Sequence, residues 1–146
     1  MKKIIIAIDS FKGCLTSAEA GKAAEKGIKS INPSCHTSVI PIADGGEGLL
    51  DVLITATKGK YITLSAHGPL MKMAKTHYGL SGNGRTAIIE MAAISGLPLV
   101  PIEQRNPMLT TTFGTGELIK DALNKGCRNF IIGIGGSATN DAGLGM

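Results

Sequence analysis

Three apolar runs, far apart in the chain, each end in a short cluster of small and polar residues. Residues 4–8 (IIIAI) lead into Asp9-Ser10-Phe11-Lys12-Gly13. Residues 39–42 (VIPI) lead into Ala43-Asp44-Gly45-Gly46-Glu47-Gly48, and residues 130–134 (FIIGI) into Gly135-Gly136-Ser137-Ala138-Thr139-Asn140-Asp141. Continuous β-branched runs of this length read as strands buried on both faces of a parallel sheet. Parallel strands of an open α/β sheet share one carboxyl edge, and ligands bind in the crevice there. The pattern therefore predicts that three polar tips converge on one site.

The segments between the tips fit the same plan. Thr16-Ser17-Ala18-Glu19 has the form of a capping box, which satisfies free amides at a helix start. Apolar residues then recur at helical spacing to Ile31, and Asn32-Pro33 stops the helix. A strand over 37–42 follows, with Pro41 pointing to an edge or an early end. The next helix starts near Gly46 and carries Leu49, Leu50, Leu53 and Ala56, with Gly59 as its C-terminal cap. The middle of the chain changes character. Residues 61–66 alternate apolar and polar, and segments 71–80 and 85–90 flank Ser81-Gly82-Asn83-Gly84, a hairpin signal. A Pro-rich connection leads to Thr110–Gly116 and a helix bearing Leu118, Ile119, Ala122 and Leu123, closed by Gly126. The fold class read from this is α/β: a parallel, Rossmann-like sheet with an inserted, partly antiparallel second α/β subdomain. Residues 1–60 form the first part of the main domain, 61–110 the insert, and 111–146 the helix, strand and glycine-rich turn that line the cleft. The chain stops at Met146, where another helix should begin, and reads as truncated.

Composition excludes several classes. Aromatic residues make up 3% and there is no Trp, so no platform exists for stacking the bases of single-stranded nucleic acid. The net charge of +4 is scattered rather than clustered, which fits a mildly basic surface or a local attraction for anionic substrates. No run approaches the length of a membrane span. Cys14, Cys35 and Cys127 are odd in number and show no CxxC spacing, as in a reduced, cytoplasmic protein.

The tips carry the candidate chemistry. Glycines in the third tip let backbone amides approach a phosphate, with a following helix start adding positive dipole. Gly133, Gly135 and Ala138 also satisfy the dinucleotide fingerprint, a weak signal that keeps a nucleotide- or dinucleotide-binding oxidoreductase open as an alternative. Asp44 and Glu47 flank a glycine-bent turn. Such a pair can hold Mg²⁺ beside a phosphate or supply a general base, or can simply favour a helix start. Asp9, Ser10 and Lys12 place an acid, a hydroxyl and a cation in one loop. Thr111, Thr112 and Gly114 to Glu117 precede a helix and suit either an anion or a cap. Glu90 is an acid closing an apolar run, paired structurally or lining the cleft. His36, His67 and His77 show no metal spacing, and no P-loop sequence occurs.

Taken together, Ile8–Gly13, Pro41–Gly48, Ile89-Glu90-Met91-Ala92-Ala93, Ser95-Gly96-Leu97, Arg105-Asn106-Pro107, Thr110–Ile119 and Gly133–Asp141 resemble the bacterial glycerate kinase family with a flavodoxin-like core, over its N-terminal part. Ile8 and Ala142 depart from the Pro and Gly common there. The resemblance implies a cytoplasmic, ATP- and Mg²⁺-dependent kinase that phosphorylates D-glycerate, generally on the 2-hydroxyl. It implies catalytic roles for Asp44, Lys12 and Asp141, and substrate contacts from Asp9, Ser10, Gly45, Gly46, Glu47 and Thr112. Gly135, Gly136, Ser137, Thr139 and Asn140 would cradle phosphate. The metal ligands stay unassigned. Partners would be glycerate, ATP and either a second copy or a missing C-terminal portion, with no nucleic acid or membrane. A non-catalytic binding fragment is the remaining alternative.

Overall fold

The computed structural model describes residues 3–146. It is α/β, with a parallel sheet and a second, mixed sheet. Two compact units divide the chain, the first ending at Asp44 and the second comprising Gly45–Met146.

In the first unit, β1 (Lys3–Ile8) and β2 (His36–Pro41) pair in parallel, from Lys3 opposite His36 to Ile8 opposite Pro41. Their connection is α1 (Ser17–Ile31). Its capping box is formed: the Thr16 hydroxyl accepts from the Glu19 N–H while the Glu19 carboxylate accepts from the Thr16 N–H. Ala20 and Gly21 are the buried residues of its middle, and a Cβ on Gly21 would meet a Val39 methyl group. The expectation that β1 is buried on both faces is corrected. Ile6 is 6% exposed but Ile5 is 61% exposed, because residues 3, 5 and 7 point away from the face on which α1 packs.

The second unit holds α2 (Leu49–Thr57), β3 (Lys60–His67), β4 (Met73–Leu80), β5 (Thr86–Glu90), α3 (Ala92–Ser95), α4 (Phe113–Asn124) and β6 (Asn129–Gly133). The hairpin signal is realised: β3, β4 and β5 are successively antiparallel. The run over 130–134 differs from its expected place. As β6 it pairs in parallel with β5 at the edge of this mixed sheet, among the described residues, and not in the β1–β2 ladder. A parallel pair needs a long crossover, and the segment carrying α3 and α4 supplies it. Being an edge strand, β6 leaves Ile131 and Ile132 about as open as a surface residue. β5 is the strand buried on both faces. Ala87 and Ile89 join Tyr78, Ile94, Leu118 and Ala122 on the α4 side, while Ile88 packs with Leu50 and Ile54 of α2 on the other.

Helix ends follow local chemistry. α2 begins at Leu49, later than expected, because Gly45 and Gly48 both take positive φ in the preceding turn. At its far end Lys58 adopts the left-handed conformation, not Gly59. Gly59 is needed for room instead, since a Cβ there would lie 2.4 Å from the Leu80 carbonyl oxygen. α4 closes as expected at Gly126, whose N–H reaches Leu123 O while Cys127 N–H reaches Ala122 O, the paired bonds of a Schellman motif. Among the described residues no helix is long and apolar enough to cross a membrane.

Two alanine substitutions separate glycines needed for space from those that are not. A Cβ on Gly114 would lie 1.9 Å from the His67 carbonyl oxygen, whereas one on Gly27, inside α1, meets nothing within 4 Å. In urea unfolding, Gly114→Ala should cost about 2–3 kcal/mol, and Gly27→Ala should add about 0.5–1 kcal/mol by helix propensity.

Candidate functional site

Within the first unit the parallel register places the β1 and β2 tips at one edge. Ser17, 8% exposed in the first turn of α1, ties them together. Its hydroxyl donates to Ile8 O at 2.6 Å and accepts from Ile42 N–H at 3.0 Å. Asp9 turns back on its own loop, accepting from Ser10 N–H at 2.6 Å. Lys12 is exposed in a tight turn closed by Cys14 N–H and Leu15 N–H on Phe11 O. Asp44 is exposed at the end of the β2 tip. Ser17 escapes sequence reading as a site residue, although its place inside a capping box beside two strand ends is a usable signal.

Within the second unit the parallel β5–β6 pair ends on Glu90 opposite Gly133. The glycine-rich tip that follows lies against the Gly45–Gly48 turn. Gly135 N–H donates to Gly45 O at 3.1 Å. A Cβ on Gly135 would sit 2.6 Å from Gly46 Cα, and one on Gly133 would sit 2.6 Å from Gly45 O. These glycines are required for backbone-to-backbone approach. The second and third polar tips, 90 residues apart in sequence (Gly45 and Gly135), are thus joined through main chain.

Glu90 holds the same junction from below. It is 8% exposed, and its carboxylate accepts from Leu50 N–H at 3.2 Å. Burial pushes its pKa up; the Leu50 and Gly48 N–H groups offset only part of that, and the negative charges of Asp51 and Glu47 push the same way. Glu47 itself is exposed on the turn. Glu90 therefore fixes the first turn of α2 with a carboxyl group that resists ionisation.

Residues 134–146 run as turns and bends. Within the tip the protein uses three amides itself: Gly135 N–H on Gly45 O, Ala138 N–H on Ser95 O, and Thr139 N–H on Ser137 Oγ. Gly136 N–H and Ser137 N–H have no protein acceptor among the described residues. Asn140 is exposed beyond them.

Asp141 and Thr112 come together at the α4 N-terminus. The Asp141 carboxylate accepts from Thr112 N–H and the Thr112 hydroxyl, both at 2.8 Å, and from Gly143 N–H at 3.1 Å. Burial pushes the Asp141 carboxyl up, but the N–H and hydroxyl of Thr112 and the N–H groups of Gly143 and Gly145 outweigh it, and its pKa lies below the ordinary aspartate value. The anion at this helix start is thus a side chain of the protein, consistent with the dipole.

Beside the tip is a cavity of about 250 Å³ lined by Ser137 and Thr139, by Arg105 and Asn106 of the Pro-rich connection, and by apolar Leu97 and Val100. Thr110 binds its two sides together, donating to Ala138 O at 2.8 Å. Arg105 and Asn106 line this cavity, and sequence reading places them only in a motif. Among the described residues no group of three or more His, Cys, Asp or Glu could hold a metal ion.

The model of the glycerate kinase family matches residues 4–146. The chain is 56% identical over 144 residues to a glycerate kinase of Haemophilus influenzae, covering 99% of this chain and 38% of that protein. It is 52% identical to the glycerate 2-kinase of Escherichia coli, with the same coverage. A crystal structure assigned as glycerate kinase 2 from Salmonella typhimurium LT2 superposes with a TM-score of 0.84 at 50% identity, covering 99% of this chain and 39% of that one. The chain therefore spans well under half the length of these relatives.

Glu90 gives a test by linkage. Its folded pKa is raised, so the native state holds this proton more tightly than the unfolded chain. The resulting stability is present below the ordinary glutamate pKa of about 4.3 and is lost as pH rises through the folded value. Urea unfolding at about pH 4 and about pH 7 should show wild type losing stability relative to Glu90→Gln, which keeps an acceptor for Leu50 N–H without a charge. Equal pH dependence in the two proteins would contradict the burial argument.

Proposed function

The chain belongs to the glycerate kinase family, and on that premise we propose that the intact protein transfers the terminal phosphoryl group of ATP to a hydroxyl of D-glycerate, generally the 2-hydroxyl. The observation that carries this reading is the meeting of the Gly45–Gly48 and Gly133–Thr139 turns. Phosphoryl transfer calls for positioning and charge neutralisation more than covalent chemistry. Two turns locked by main chain offer a rigid base for both.

Under this reading Asp44 accepts the proton of the attacking hydroxyl, and Lys12 offsets charge on the carboxylate or phosphate oxygens. Asp9 and Ser10 contact substrate. Gly136, Ser137 and Asn140 face phosphate oxygens, using amides that the fold leaves open. Asp141 supports the reaction at a distance, since its carboxylate is committed to Thr112 and the 143–145 turn. Mg²⁺ normally meets one or two carboxylates and the nucleotide phosphates rather than a cage of protein ligands. Glu47 is the carboxylate proposed to meet it while Asp44 acts as base. A reduced cytoplasmic setting fits an odd number of cysteines with no CxxC spacing.

ADP release by the intact protein, dependent on both D-glycerate and ATP, tests the activity; its absence would overturn the reading. Asp44→Asn should lower kcat at least ~100-fold, within the range of general-base catalysis, while the melting temperature stays close to wild type. Activity that survives the substitution would remove Asp44 from the role of base.

A further inference from the structure

We infer that the cavity beside the glycine-rich tip is the seat of a small carboxylate, gripped by the guanidinium of Arg105. This deepens the kinase reading above and rests on it for the identity of the acid as D-glycerate.

The argument is an inventory of donors and acceptors. Arg105 Nε–H donates to Val100 O at 3.2 Å, which anchors the guanidinium while leaving the Nη groups for a ligand. Among the described residues no carboxylate pairs with Arg105, and no acidic residue lines the cavity. Asn106 Oδ1 accepts from Met108 N–H at 3.0 Å, so its side-chain NH₂ remains to donate. Ser137 Oγ and Thr139 Oγ1 share one proton at 2.7 Å. The other hydroxyl proton of that pair is left for an outside acceptor. The Thr110 hydroxyl is already spent on Ala138 O. The side chains thus present a cation and further donors, and Asn106 Oδ1, Val100 O and Ala138 O each already accept a bond from within the protein. That is the complement of an anion, and a planar guanidinium matches a carboxylate in two parallel bonds.

Size narrows the ligand. A volume of about 250 Å³ falls below the ~300–1,000 Å³ typical of drug-sized ligands. It corresponds to roughly eight waters at ~30 Å³ each. A three-carbon hydroxy acid is of that size. The apolar Leu97 and Val100 on the lining suit the carbon skeleton. Ser137 and Thr139, expected from sequence to cradle phosphate, then serve the acid through their hydroxyls.

Two measurements on the intact protein test this. Steady-state kinetics of Arg105→Met should raise KM for D-glycerate roughly 10- to 100-fold, the worth of a charged hydrogen bond. KM for ATP should stay within about twofold, and Arg105→Lys should recover part of the loss. A rise confined to KM for ATP would overturn the assignment in favour of a nucleotide phosphate. The second measurement uses wild type and needs no turnover. In ¹H–¹⁵N spectra, D-glycerate should shift the Arg105 Nε–H and Thr139 N–H signals, whereas glycerol, which lacks the carboxylate, and inorganic phosphate at equal concentration should not. Shifts with phosphate equal to those with glycerate, or none with glycerate, would refute the carboxylate seat. Shifts with glycerate in a protein that turns over no glycerate would keep the seat and defeat the kinase reading instead.

Discussion

A single main-chain contact, Gly135 N–H on Gly45 O, organises the second unit around its tips. It requires a residue without a side chain at 133 and 135, because a Cβ at either would strike the 45–46 backbone. Once the turns touch, α2 starts where Glu90 can cap it, and β6 runs beside β5 with Glu90 and Gly133 as the last rung. The glycine richness of these tips is therefore a packing requirement before it is a binding device.

That requirement bears on the proposed chemistry. Three amides of the glycine-rich loop are used by Gly45, Ser95 and Ser137, which leaves those of Gly136 and Ser137 as the ones offered to phosphate under the proposed reading. The proposed carboxylate seat draws instead on side chains beside the loop, Arg105, Asn106 and the Ser137–Thr139 hydroxyl pair. Asp141, an acid that sequence reads as catalytic, stands at a helix start and accepts from Thr112.

Much of the fold is legible in the sequence because it is local. Capping by Thr16 and Glu19, the β3–β4–β5 antiparallel run and the closure of α4 at Gly126 follow from periodicity and turn chemistry within a few residues. Strand partnership is not local. Residues 4–8 and 130–134 look alike as apolar runs, yet one is half of a two-stranded parallel pair and the other an edge strand beside β5. Candidate site residues divide in the same way. The glycine tips announce themselves by composition. Ser17, Glu90 and Arg105 become meaningful only through partners 9 to 40 residues away or through a cavity wall, and single-sequence reading carries no such distances.

Amide hydrogen exchange at Gly135 in the intact protein tests the organising contact most directly. The account predicts strong protection of the Gly135 N–H, with the adjacent Gly136 N–H, which has no acceptor among the described residues, exchanging much faster. Equal and rapid exchange at both would mean that the two turns are not joined, and the geometry built on them would fail.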